Sequence, residues 1–184
     1  MLSNYLKEKT ATYHTEIESK LESNKLFDGT FSDENYYKML QVNHQFLKVY
    51  ENPIKDFLTA KDLTILAQTN FDKTTLIEKD LQELKLNKLT FPTQVDLSNR
   101  AEAFGALYVI EGSMLGGNVI AKTLKKYPNL ASEKFNYFGH YGENLGKSWK
   151  SFLAYINDEF TTEEELNQVF EGAKKAYVDL ISFA

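Results

Sequence analysis

Phe104-Gly105-Ala106-Leu107-Tyr108-Val109-Ile110-Glu111-Gly112-Ser113-Met114-Leu115-Gly116-Gly117-Asn118-Val119-Ile120 is at once apolar, almost uncharged and rich in glycine. Its surroundings predict one long helix from about Ser98 to Lys126, stopping before Pro128. Four of the chain's nine glycines fall inside this segment. Each glycine in a helix interior costs roughly 1 kcal/mol relative to alanine, so something has to offset the group. Gly112 and Gly116 are four residues apart and therefore open one face. Without a β-carbon there, a ligand or another backbone can come close, and the helix can bend. Two readings stand open: close packing of helices through small residues, or a surface kept bare for a ligand.

Helical periodicity also governs the rest. Residues 3–21 put Leu6, Thr10, Tyr13, Ile17 and Leu21 on one stripe. Ser32 is placed to cap a second helix running to about Glu51, where Pro53 ends or restarts it. Short helices are expected near 60–69 and 74–85, a loop from Leu86 to Val95 with Pro92, and a helix over 143–158. Thr161 with Glu164 forms a capping box for the last helix, to about residue 182. No period-two alternation, repeat or linker interrupts this pattern. The expectation is an all-α, single-domain multi-helix bundle over residues 1–184, with about seven or eight helices.

Composition narrows the function. Net charge is −5, which argues against a nucleic-acid footprint. There is no cysteine, so disulfides, thiolate metal sites, iron–sulfur clusters, thiolate-bound or covalently attached haem, and a cysteine nucleophile are all excluded. Its absence also fits a cytoplasmic protein. The N-terminus has charges where a signal peptide needs an apolar core, and no run of about 18 apolar residues predicts a membrane span.

Histidine is scarce. His14 edges the stripe of the first helix, with Glu18 one turn later and Lys7 two turns earlier. A neutral imidazole there can ligate a metal, Glu18 can reach its other ring nitrogen, and Lys7 can meet a ligand carboxylate. The alternative is a core-edge histidine with ordinary surface neighbours. His44 reads as a boundary residue and His140 as part of a turn. No Glu-x-x-His pair suggests a di-iron bundle, and no phosphate-binding loop occurs.

Taken together, Leu6-Lys7-Glu8-x-Thr10-x-x-x-His14-x-x-x-Glu18 and Ala106-Leu107-Tyr108-Val109-Ile110-Glu111-Gly112-Ser113-x-Leu115-Gly116-Gly117 resemble the proximal and distal helix signatures of the haem oxygenase family. Tyr137-Phe138-x-x-Tyr141-Gly142, followed by Trp149 and Phe152, extends the resemblance over nearly the whole chain. The resemblance implies a soluble enzyme that opens haem to biliverdin, CO and ferrous iron with O2. His14 would be the axial haem ligand, with Glu18 orienting it and keeping it neutral. Lys7 would pair with a haem propionate, and Lys147 or Lys150 would hold the second. Gly112 and Gly116 would let the distal helix lie almost on the iron, and Gly117 would help it bend. Backbone amides and ordered water would deliver protons. Ser113 stands where many animal members carry an aspartate, so the water network would be built from backbone, Asn118 and water. Leu107 and Val109 replace polar residues of the animal enzymes.

The resemblance also implies an electron donor, a ferredoxin or flavodoxin with an NADPH-dependent reductase. Lys7, Lys9, Lys20, Lys122, Lys125, Lys126, Lys147 and Lys150 would form a basic rim for an acidic donor, or else a plain solvated surface. Three rival readings are a haem carrier or sensor, a thiaminase-type enzyme lacking its usual cysteine, and a helical interaction module.

Overall fold

The structure is a computed structural model that describes residues 1–66, 72–89, 95–131 and 134–184. Pro92 and the end of the helix expected over 60–69 lie outside the described residues. Among the described residues the secondary structure is helical, with no strand. In chain order the α-helices are α1 (Leu2–Lys9), α2 (Ala11–Lys20), α3 (Lys25–Asp28), α4 (Asp33–Phe57), α5 (Ala60–Leu66), α6 (Lys73–Glu83), α7 (Arg100–Leu124), α8 (Leu145–Glu159) and α9 (Glu163–Phe183). A 3-10 turn, Gly142–Asn144, leads into α8.

The glycine-rich α7 is the axis of the molecule. It packs most closely on α9, and also on α4 and α8. Gly105 and Gly172 make the α7–α9 contact possible. A β-carbon on Gly105 would overlap the Val169 carbonyl oxygen, and one on Gly172 the Glu102 carbonyl oxygen. These two backbones therefore touch, which only glycine permits. By length and composition α7 is apolar enough to cross a membrane, against the sequence expectation. Yet 67% of its apolar window is buried inside the molecule, as a core helix requires.

The first helix is broken where one continuous stripe was expected. Thr10 leaves helical geometry (φ −97°, ψ 0°), and its hydroxyl donates to the Leu6 carbonyl at 2.8 Å. A threonine bonding back one turn bends a helix. The stripe nevertheless survives: Leu6, Thr10, Ile17 and Leu21 are all buried.

Pro53 does not end α4, which continues to Phe57. Ile54 and Tyr50 are fully buried beside it, and their burial outweighs the lost backbone hydrogen bond. The cap of α9 is Thr162 with Glu165, one residue beyond the expected pair. Both pairs have the same spacing, and only the backbone shows that Thr162 is the extended residue (ψ 153°). Asn99 caps α7, one residue beyond its expected start. Ser32 caps α4 as expected, closing a box with Asn35.

One buried polar cluster holds α5, α7 and α8 together. Asp62 is fully buried and accepts from Arg100 Nε (2.8 Å), Arg100 Nη2 (2.5 Å) and the Tyr155 hydroxyl (2.5 Å). Burial alone would raise its carboxyl, but the Arg100 guanidinium and Tyr155 hydroxyl reverse this and hold it well below the carboxylate range. The Tyr155 phenol is pushed up to about 12 by burial and by Asp62.

Candidate functional site

α2 and α7 face each other across a cleft. One lobe is lined by His14, Ile17 and Glu18 from α2 and by Val109, Gly112, Ser113, Gly116 and Gly117 from α7. Phe138, Tyr177 and Leu180 complete its inner wall. A second lobe adjoins it, lined by Lys7, Thr10, His14, Tyr108, Gly112, Trp149 and Tyr177 among others. His14, Gly112 and Tyr177 belong to both, so the two lobes meet between the imidazole and the glycine helix. The first lobe has a cavity volume of about 200 Å³ and the second about 620 Å³, and the second lies within the roughly 300–1,000 Å³ usual for a small-molecule or cofactor site.

The glycines divide by what stands over them. Gly105 is filled by α9, as above. Gly117 is filled by Phe138, whose ring would collide with a β-carbon. Gly112 has only the edge of Trp149 nearby, at an ordinary 3.6 Å from a β-carbon. Gly116 has nothing within 4 Å. No contact among the described residues therefore explains glycine at 116, which lines the same lobe as His14. Packing against α9 accounts for Gly105 and the Phe138 ring accounts for Gly117; neither accounts for Gly116.

His14 is well exposed to this cleft, and its Nδ1 stands 3.3 Å from Glu18 Oε2. The i, i+4 spacing on α2 sets that contact. It leaves Nε2 as the nitrogen for a metal. Among the described residues no three histidine, aspartate or glutamate side chains cluster as a metal-holding group. A metal here would thus arrive inside a ligand that supplies its other bonds, as the planar macrocycle of haem does.

Around the mouth the surface is apolar. Phe27 is 81% exposed and Val119 46%, and both line the first lobe. Leu115, on the second lobe, is 36% exposed. Large apolar side chains left in water around a cavity mark a surface that something else covers. Lys7 reaches the second lobe and has no ion-pair partner among the described residues, so it is free to meet an anionic group.

Other sequence-selected residues lie elsewhere. Lys147 and Lys150 are exposed on α8 and line neither lobe, although Trp149 between them does. Lys20 donates to the Ile181 carbonyl, and Lys9 lies over the Tyr5 ring, which draws both into structural contacts. Lys122, Lys125 and Lys126 are exposed. Asn118 lines neither lobe. His44 is not a boundary residue: it is buried on α4, with Nε2 3.2 Å from Glu78 Oε1 and Nδ1 without a hydrogen-bond partner among the described residues. Burial lowers its pKa. His140 is in a turn, as expected.

Sequence reasoning missed Asn43 and Tyr137. Asn43 lines the first lobe, with Nδ2 donating to the Met39 carbonyl at 2.8 Å and Oδ1 3.4 Å from the Tyr137 hydroxyl. Ser113 also adjoins Tyr137, and its own hydroxyl donates to the Ile110 carbonyl at 2.8 Å. Burial drives the Tyr137 phenol far above its ordinary pKa, so it remains a neutral donor. The available signal was an amide at a position of α4 where the stripe Met39, Leu40, Leu47 calls for an apolar side chain.

Known proteins match this chain in family and in fold. The family model described as "Heme oxygenase" matches residues 1–98 and 91–182. A curated heme oxygenase of Xanthomonas campestris pv. campestris (strain 8004) is 26% identical over 152 residues, covering 83% of this chain and 90% of that protein. A crystal structure of the NO- and CO-bound heme oxygenase of Neisseria meningitidis superposes with a TM-score of 0.75 at 23% identity, covering 100% of this chain and 92% of that one. At that identity the superposition speaks for the fold.

Proposed function

The chain belongs to the haem oxygenase family of haem-degrading oxidoreductases, and from that premise we propose that the cleft between α2 and α7 holds haem with His14 on its iron. Haem is the substrate; when bound it brings the iron that activates O2, and its ring is opened at a meso carbon to biliverdin, CO and ferrous iron. The observation that carries the site assignment is Gly116, an interior helix glycine with empty space above it, across the cleft from an exposed imidazole.

The residues divide the work. His14 ligates through Nε2 while Glu18 accepts from Nδ1–H, which fixes the tautomer and makes the imidazole a better donor. Lys7 pairs with one propionate, and Lys147 or Lys150 reaches the second only if the haem edge projects past Trp149. Gly112 and Gly116 present bare backbone to the distal face, and Gly117 admits Phe138 beside it. Ser113 and Asn43 put polar groups on the wall, with the neutral Tyr137 hydroxyl behind Asn43, and there water is held and protons pass. The apolar mouth of Phe27, Leu115 and Val119 closes on the macrocycle and excludes bulk solvent.

We assign the whole range 1–184 to one domain acting in the cytoplasm, without nucleic acid or membrane. The electrons come from a ferredoxin- or flavodoxin-type donor served by an NADPH-dependent reductase. It docks on the exposed lysines of α7 and α8. The test is to mix the protein with hemin, add reductant in air, and follow product absorbance and CO release. Growth of a red-absorbing bilin with one CO per haem is expected. A stable haem complex that releases neither makes the protein a carrier or sensor.

A further inference from the structure

Glu111, the residue before Gly112, and Tyr141, in the segment before α8, take no part in the cleft. They meet each other. Glu111 is buried, accepting the Tyr141 hydroxyl on Oε2 at 2.6 Å and Lys73 Nζ on Oε1 at 2.5 Å. Lys73 is the first residue of α6 and is 1% exposed, with Nζ 5.5 Å from the centre of the Tyr141 ring. Glu51 of α4 locks that end of α6, accepting from Lys73 N (2.7 Å), Thr74 N (3.1 Å) and Thr74 Oγ1 (2.6 Å).

Two turns along the same face of α6, Asp80 accepts from Asn136 N, Asn136 Nδ2 and Tyr137 N at 2.8, 2.8 and 2.9 Å. Asp80 thereby pins the segment that delivers Tyr137 to Asn43, Phe138 to Gly117 and Tyr141 to Glu111. A buried ammonium–carboxylate pair is a poor source of stability, because apolar side chains of like volume do as well or better. Its attested use is to select one geometry among several. Here the residue it fixes adjoins Gly112, which is common to both lobes of the cleft.

We propose that Lys73, Glu111 and Tyr141 are positioning residues that set the distance of the α7 backbone at Gly112–Gly117 from His14. None of them lines either lobe, so they act through α7 and not by contact with a ligand. With the clamp closed, the bare glycine face has one height over whatever lies on His14. With it open, α7 samples several. The identity of that ligand as haem rests on the function proposed above; the clamp itself does not.

The test is amide hydrogen exchange on the ligand-free protein, comparing wild type with Tyr141→Phe and Glu111→Gln. Tyr141→Phe keeps the buried ring and removes only the donor, so the chain folds even if Glu111→Gln does not. The expected result is exchange about tenfold faster at residues 112–117, the effect of one lost hydrogen bond to a charged acceptor, with α9 at its wild-type rate. In the ferric haem complex, Tyr141→Phe then binds hemin within about twofold of wild type. On the function proposed above, where α7 would stand over the iron, it moves the pH midpoint of the ferric complex by about half a unit or more. Unchanged exchange at 112–117 overturns the proposal. So does equal acceleration in α9, which reports a loss of global stability. If wild type takes up no hemin, the haem assignment falls while the exchange comparison still decides the clamp.

Discussion

Gly105 and Gly116 are the same residue type in the same helix, and their substitution should move stability in opposite directions. Gly116→Ala adds a methyl to empty space and removes an interior glycine, so the ligand-free protein should gain up to about 1 kcal/mol. The same methyl stands where the ligand must lie, so hemin affinity should fall. Gly105→Ala drives a methyl into the Val169 carbonyl and should cost about 3 kcal/mol or more. Denaturant melts with and without hemin check both. If Gly116→Ala destabilises the ligand-free protein, the space above it is not empty and the site assignment is wrong. Sequence could mark the cluster of glycines but not sort them. What separates packing from binding is the presence of Val169, Phe138 or nothing overhead, and that depends on α9 and the 134–141 segment, far away in the chain. Asn43 shows the same limit: its amide was visible as a break in the stripe of α4, but its partner Tyr137 is 94 residues away.

Element by element, the sequence was legible where periodicity and caps agree. α4, α7, α8 and α9 lie where apolar spacing puts them, and the Ser32 box opens α4. It failed where tertiary burial overrules a local signal, as at Pro53, or where a side chain bends the backbone, as at Thr10. His44 is a third case. Its spacing on α4 does not reveal that α6 covers it. That contact has a pH consequence. A free imidazole titrates near 6.5, and burial depresses His44 below that in the folded protein. As pH falls below about 6.5 the unfolded chain takes the proton first, so stability declines toward the depressed value. His140 is depressed too, again chiefly by burial, and adds the same sign. Melting temperature should therefore drop between pH 7 and pH 5, and His44→Gln should flatten that slope. Glu51 and Asp80, raised by burial, contribute the opposite sign, so an equal slope in wild type and His44→Gln is what contradicts the buried neutral imidazole.

Over the whole molecule, the end of α7 farthest from Gly116 is held by the buried charge of Asp62 paired with Arg100. Asp62 has no water to fall back on, so Arg100→Met should leave a buried carboxylate without its cation and cost about 3 kcal/mol, measured by denaturant unfolding. The loss should shrink in strong acid, where Asp62 is protonated; the ion-paired carboxylate stabilises only above its depressed folded pKa. A loss below about 1 kcal/mol would reduce the cluster to a surface ion pair. The fold class was readable because helical periodicity is strong throughout. The haem reading needed the resemblance of the two motif blocks, since nothing in periodicity says that α2 and α7 face each other.

His14 is the residue on which haem binding in the α2–α7 cleft most directly depends. Hemin should be titrated into wild type and His14→Ala while the Soret band is followed, with free imidazole then added to the variant. Saturable one-to-one binding by wild type, a weakened and shifted band in His14→Ala, and its return with imidazole are the predicted results. Identical Soret bands and affinities in both proteins would mean that His14 does not hold the iron and that the cleft between α2 and α7 has been misassigned.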